Sequence, residues 1–102
     1  MGGLRLPVMA TATLDGTVIA NADTTVIVEG NHYFPPDSID WQYLTKTELS
    51  TVCPWKGSAT YYDVAVGDTV KKNAAWTYTD PKEAASEIKD HVAFYPDVAV
   101  SA

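Results

Sequence analysis

Hydrophobic and polar residues alternate in short runs over the first thirty residues, a pattern typical of short β-strands. The predicted strands are residues 11–14, 17–20 and 24–29. The first two flank Asp15-Gly16, a dipeptide that strongly favours a hairpin turn. Residues 1–9 lack the alternation. The pattern therefore predicts a flexible leader over residues 1–9 and a single domain over residues 10–102.

The middle of the chain continues the alternation over longer runs. The predicted strands are residues 51–53, 58–66, 69–71 and 74–78. Gly67-Asp68 is a second hairpin turn signal, whereas residues 46–48 are polar and predict a connection. Residues 37–39 predict a helical turn. Most of the chain is thus expected to form antiparallel hairpins.

The last third of the chain contains the one predicted helix, near residues 81–91. Asp80 can cap it, Pro81 suits its first position, and Glu83 completes a capping box. Apolar residues then recur at helical spacing as far as His91 or Val92. The predicted fold class is mainly β (α+β), a compact antiparallel sheet domain with one covering C-terminal helix.

Composition narrows the classes of partner. The 102 residues are 46% apolar and 20% charged, which suits one globular domain, and the net charge of −6 disfavours nucleic acid. No apolar run is long enough to span a membrane, and no signal peptide is visible at the start.

Because Cys53 is the only cysteine, no internal disulfide can form, and a cytoplasmic location is expected. One cysteine and two histidines cannot supply a structural zinc site, so neither a metal nor a cofactor is expected.

The segment Cys-Pro-Trp-Lys-Gly at residues 53–57 is the first candidate site. Pro54 and Gly57 restrict the backbone on either side of Trp55 and Lys56. Trp55 is suited to stack on a planar ligand, and Lys56 to bind a carboxylate or phosphate. The alternative is a packed tryptophan beside a solvated lysine.

A second candidate is a group of aromatic residues on the neighbouring predicted strands. Its members are Tyr61, Tyr62, Trp76 and Tyr78. Alternation predicts that Tyr61 and one of Trp76 and Tyr78 share a face of the sheet, where they would line a ligand pocket. The alternative is a plain aromatic core, since aromatic side chains dominate cores in any case.

Weak catalytic candidates are Cys53, His32 and Glu29. Cys53 would act as a nucleophile, and Glu29 with His32 as an acid–base pair around Gly30. Sequence spacing does not bring these groups together. A buried, inert cysteine is the competing interpretation.

Four segments together resemble a known family. They are residues 29–36 (EGNHYFPP), residues 53–62 (CPWKGSATYY), residues 74–78 (AAWTY), and Ile88 with residues 92–95 (VAFY). Over about residues 10–98 the chain resembles the bacterial domain-of-unknown-function family 427. The resemblance implies a fold similar to the β-tent folds. The zinc of related carriers is not implied, because their paired Cys-x-x-Cys motifs are missing. The family is sometimes labelled nucleotidyltransferase-like, but this chain lacks the glycine-serine motif and paired aspartates of that chemistry.

The function that follows is binding of a small planar or anionic molecule in an aromatic-lined pocket around residues 53–57. One alternative is an enzyme that uses Cys53 or the Glu29/His32 pair. Another is a protein-interaction module with an acidic surface.

Overall fold

The structure is a computed structural model and describes residues 9–102. The predicted leader therefore lies outside the described residues, apart from Met9. Nine strands occur in the described part: β1 (Ala10–Leu14), β2 (Thr17–Ala22), β3 (Val26–Val28), β4 (Asn31–Tyr33), β5 (Leu44–Cys53), β6 (Gly57–Val66), β7 (Thr69–Thr77), β8 (Val92–Phe94) and β9 (Ala99–Ser101). All their pairings are antiparallel, which confirms a mainly β fold.

The first sheet has the order β2-β1-β9. Asp15 and Gly16 turn the chain with φ of +52° and +75°, as the dipeptide predicts. β1 is buried at every second residue, so one face of this sheet packs on the core. The sequence analysis did not predict β9, whose three exposed residues pair along the other edge of β1.

A separate two-stranded sheet is formed by β3 and β4. Its turn is Glu29-Gly30, with φ of +53° and +80°, and Val28 pairs directly with Asn31. Glu29 and Gly30 are therefore the two turn residues of a tight hairpin. Phe34, just beyond β4, exchanges backbone hydrogen bonds with Val92 and joins this hairpin to the main sheet.

The main sheet has the order β5-β6-β7-β8. Residues 46–48, predicted as a connection, lie inside β5, and the two strands predicted over residues 69–78 are one strand, β7. Asn73 has φ of +50° where the register shifts. Its N–H donates to Asp63 Oδ1 (2.8 Å) and its Oδ1 accepts from Thr47 Oγ1 (2.6 Å). Side chains thus hold the sheet together across the irregularity.

The predicted C-terminal helix is wrong. Residues 81–91 contain no α-helix, only a 3-10 segment, Glu83–Ile88, which is interrupted by the non-helical backbone of Ala85. Asp90 N–H donates to Tyr78 O (2.9 Å) beyond the segment, and Lys82, with extended backbone, precedes it. These contacts with the sheet fix the backbone at both ends. With three residues per turn, Ala85 and Ile88 still share one buried face, so the apolar spacing is met without an α-helix.

Alternation along β6, β7 and β8 divides the buried residues into two clusters. The apolar core consists of Ala10, Ala12, Leu14, Ile19, Ala20, Ala22, Phe34, Ile39, Val64, Ala74, Ala75, Val92, Phe94 and Val98. The aromatic cluster consists of Tyr33, Ala59, Tyr61, Trp76, Tyr78, Ala85, Ile88 and Ala93. The loop that connects β5 to β6 lies beside the aromatic cluster, because Cys53 packs against it.

Candidate functional site

Residues 53–57 form the tight loop between β5 and β6. Cys53 ends β5 and pairs with Gly57, which begins β6. Gly57 has φ of +113°, a conformation that strains any other residue type. A Cβ there would lie 3.4 Å from the carbonyl oxygen of Asp80. The backbone conformation of the turn is therefore what requires glycine, and the segment that follows β7 packs against it at van der Waals distance.

One lysine fixes this loop from outside. The backbone N–H of Lys82 donates to the carbonyl oxygen of Lys56 (2.8 Å), and its Nζ donates to that of Pro54 (2.7 Å). Two carbonyl groups of the loop are therefore held by hydrogen bonds. The side chains of Trp55 and Lys56 project from a backbone that these bonds constrain.

Lys56 is buried, which is unusual for a lysine. Its side chain is 8% exposed and forms an ion pair with Glu29, whose side chain is 53% exposed. The ammonium also lies 5.3 Å from the centre of the Trp55 ring and 5.5 Å from that of Tyr78. Both distances are within the range of cation–π attraction. A buried cation is thus held between two aromatic rings and one carboxylate from an exposed turn.

The charge of Lys56 is retained at neutral pH. Burial lowers the pKa of Lys56, but the hydrogen bond to Glu29 and the nearby Tyr33 and Tyr78 raise it, and the net direction is upward from 10.5. A lysine with a raised pKa is a poor nucleophile or base, because almost none of it is neutral. The arrangement is suited to holding an anion.

The aromatic cluster provides a wall beside this cation. Tyr61 and Trp76 are directly paired across β6 and β7. Trp76 Nε1–H donates to the Tyr33 hydroxyl (3.1 Å), with the two rings edge to face at 6.2 Å. The centroid of the Trp76 ring also lies 4.6 Å from that of Tyr95, which is 42% exposed. The wall therefore extends from the buried interior to the surface.

Phenol groups near the wall remain protonated at neutral pH. Burial raises the pKa of Tyr33 and of Tyr78 by more than Lys56 lowers it. The pKa of Tyr95 is raised by its hydrogen bond with Tyr61 and by burial. A phenol that stays protonated retains its O–H hydrogen-bond donor.

The predicted ligand-binding residues fall into two places. Trp55, Lys56, Tyr61, Trp76 and Tyr78 lie on one side of the main sheet, in or beside the aromatic cluster. The sixth residue, Tyr62, faces the other side, where it packs against the apolar core and its ring lies 5.7 Å from that of Trp41. Because successive residues of a strand point to opposite faces, Tyr61 and Tyr62 cannot serve one pocket.

The three catalytic candidates make contacts with different parts of the structure. Glu29 is the ion-pair partner of Lys56, and His32 Nδ1 shares a hydrogen bond with Thr25 Oγ1 (2.7 Å). Cys53 is half-buried at the margin of the aromatic cluster. Glu29 and His32 therefore bind different side chains.

Two residues of the site were missed. Tyr33 lies in the aromatic cluster through β4, and Tyr95 follows β8. The sequence contains a signal for both, because each tyrosine is next to a phenylalanine that belongs to the apolar core. Period-two alternation places such neighbours on opposite faces. The pairing of Glu29 with Lys56 had no comparable signal, because 27 residues separate them.

Comparison with known protein families shows which family the chain resembles in sequence. A family model described as "Domain of unknown function (DUF427)", with the short name NTP_transf_9, matches residues 5–102. No curated protein matches the chain. Within residues 9–102 no group of three or more His, Cys, Asp or Glu side chains is placed to hold a metal ion. Nor does any helical segment in that range have the length and apolar character needed to cross a membrane.

Proposed function

The chain belongs to the DUF427 family, and we propose that it binds a small planar molecule that carries one anionic group. The anion lies against Lys56, and the planar body lies against Trp55 and the aromatic cluster. The observation that carries the proposal is the buried ammonium of Lys56, whose carboxylate partner comes from an exposed turn.

The burial of Lys56 supports a binding role because the desolvation of its ammonium group costs free energy. Removing an ammonium group from water is unfavourable unless charge partners and hydrogen bonds replace the lost solvation. A lysine that served only to cover the cluster would keep its head group in water, as Lys72 does with a side chain that is 80% exposed. Lys56 instead offers a desolvated cation, to which an anion binds more strongly than to a surface lysine.

The rings around Lys56 support a planar body. Trp55 is 41% exposed, so one part of the indole remains available for stacking. The ring of Tyr78 lies 5.5 Å from the same ammonium, and its phenol stays protonated at neutral pH because burial raises its pKa. A planar carboxylate is complementary to this combination of cation, ring surface and O–H donor.

The test uses benzoate and benzamide, which have nearly the same shape and differ in charge. Benzoate should raise the Tm of the protein and change its tryptophan fluorescence, whereas benzamide should do so weakly. Lys56→Met should abolish the response to benzoate, while Lys72→Met should leave it unchanged. ATP with Mg²⁺, suggested by the short name of the family model, should bind more weakly than benzoate, because Lys56 is a single cation.

Two results would contradict the proposal. Equal responses to benzoate and benzamide would show that Lys56 does not select an anion. A full response in Lys56→Met would place binding elsewhere. If Lys56→Met does not fold, Trp55→Leu serves instead, since its exposed ring can be removed without opening the core. An undiminished benzoate response in that variant would also contradict the proposal.

A further inference from the structure

We infer that Glu29 is a built-in competitor for the anion site, and that the ligand is a monocarboxylate that displaces it from Lys56. This inference rests on the proposed function. In the structure the Glu29 carboxylate occupies the position beside the ammonium that a ligand carboxylate would take.

The position of Glu29 in the chain favours displacement. Glu29 and Gly30 are the turn residues of the β3–β4 hairpin, which forms a sheet of its own. Nothing lies within 4 Å of a Cβ built on Gly30, so the turn has open space on that side. The Glu29 side chain can leave Lys56 by rotating into solvent, with no change in strand pairing.

The residue type at this turn also needs an explanation. Glu29 has φ of +53°, a region in which two-residue hairpin turns favour Asn, Asp or Gly. A glutamate gains nothing from the turn itself, and its left-handed backbone is unfavourable for a residue with a Cβ. Its carboxylate accounts for the choice, because the longer side chain reaches Lys56 from the tip of the hairpin.

The charge balance identifies the ligand class. When one carboxylate replaces another beside Lys56, the buried charge is unchanged and Glu29 returns to water. A dianion such as a phosphate monoester would bring a second negative charge into a place with one cation. A neutral planar molecule provides no counter-ion for Lys56 and cannot displace Glu29. A monocarboxylate is therefore the favoured class.

The test compares wild type with Glu29→Gln and with Glu48→Gln, a matched change at an exposed position of β5. Glu29→Gln keeps the side-chain size but leaves Lys56 without this carboxylate, so the Tm of the variant should be lower than that of wild type. Sodium acetate, compared with sodium chloride at equal ionic strength, should restore that Tm and should affect wild type much less. Benzoate should bind Glu29→Gln about three- to tenfold more tightly than wild type, since it no longer competes with an internal carboxylate. Glu48→Gln should behave as wild type in both measurements.

The outcomes separate this inference from the proposed function. If benzoate binds wild type through Lys56 but binds Glu29→Gln no more tightly, displacement is wrong and the anion site stands. If no carboxylate binds either protein, both are wrong. Phenyl phosphate binding more tightly than benzoate would overturn the monocarboxylate class. If Glu29→Gln does not fold, Glu29→Asp draws the carboxylate back by one methylene and should also tighten benzoate binding; unchanged affinity would overturn displacement.

Discussion

Tyr33 and Phe34 are adjacent and both completely buried, yet they belong to different parts of the molecule. Phe34 enters the apolar core, where its ring meets that of Phe94 edge to face at 5.6 Å. Tyr33 enters the aromatic cluster, where its hydroxyl accepts a hydrogen bond from Trp76. Burial is the same on both sides, but the members of the aromatic cluster carry phenols and an indole N–H, whereas the members of the apolar core are all hydrophobic.

The comparison distinguishes packing from candidate chemistry. The members of the apolar core are all hydrophobic, and its role is fully explained by the area it removes from water. The aromatic cluster encloses phenols and an indole N–H and borders a buried lysine, groups that cost free energy to desolvate. Packing alone does not require such groups, so the second cluster is where a binding role is to be sought.

The largest predicted effect concerns the apolar core. Phe34→Ala should lower the free energy of unfolding by about 3–5 kcal/mol, because a completely buried ring is replaced by a cavity. Urea denaturation measures the loss. Val52→Ala, at a side chain that is 74% exposed, should stay within about 0.5 kcal/mol of wild type. A loss below about 1 kcal/mol for Phe34→Ala would show that Phe34 is not a core residue.

An intermediate effect is expected from the adjacent residue. Tyr33→Phe keeps the ring but leaves the Trp76 indole N–H buried without its acceptor, which should cost about 1–3 kcal/mol. The tryptophan emission should shift as well. A double-mutant cycle with Trp76→Phe provides the control: the effect of Tyr33→Phe should largely vanish once the indole is absent. Equal effects in both backgrounds would show that the hydrogen bond does not stabilise the fold.

Local signals account for what the sequence predicted correctly. Asp15-Gly16 and Gly67-Asp68 specify hairpin turns through their backbone conformations alone, and alternation then places Tyr61 and Trp76 on one face. The Cys-Pro-Trp-Lys-Gly loop was likewise delimited by Pro54 and Gly57. These features depend on residues within a few positions of each other, so they can be inferred without knowledge of the rest of the fold.

Long-range contacts account for what was missed. The helix over residues 81–91 satisfied capping and periodicity rules, but hydrogen bonds to Lys56 and Tyr78 hold the segment against the sheet instead. The partner of Lys56 proved to be Glu29, from a hairpin whose docking no local pattern specifies. Local propensity was overridden in both cases by contacts between distant parts of the chain.

The smallest predicted effect is the response to alkaline pH of the groups in and beside the aromatic cluster, compared with that of the hydrophobic members of the apolar core. The pKa of Lys56 is raised above 10.5, and those of Tyr33 and Tyr78 above 10.0. A raised pKa in the folded state means that the unfolded chain loses its proton first. The stabilisation that these protonated groups contribute is thus fully present below about pH 10. It is lost as the pH rises through their pKa values in the folded state.

Tyr78→Phe should therefore flatten the fall in unfolding free energy above pH 10, by at most about 1.4 kcal/mol per pH unit for the one proton removed. The change removes one titrating phenol, and Lys56 loses a neighbour that raises its pKa, so both consequences act in the same direction. Phe94→Leu removes packing from the apolar core and no titrating group, so it should lower stability equally at every pH. Urea unfolding between pH 8 and 11 distinguishes the two patterns. If Tyr78→Phe instead shifts the curve in parallel, as Phe94→Leu should, the phenol of Tyr78 contributes packing only, and the contrast between the two clusters is one of shape and not of charge.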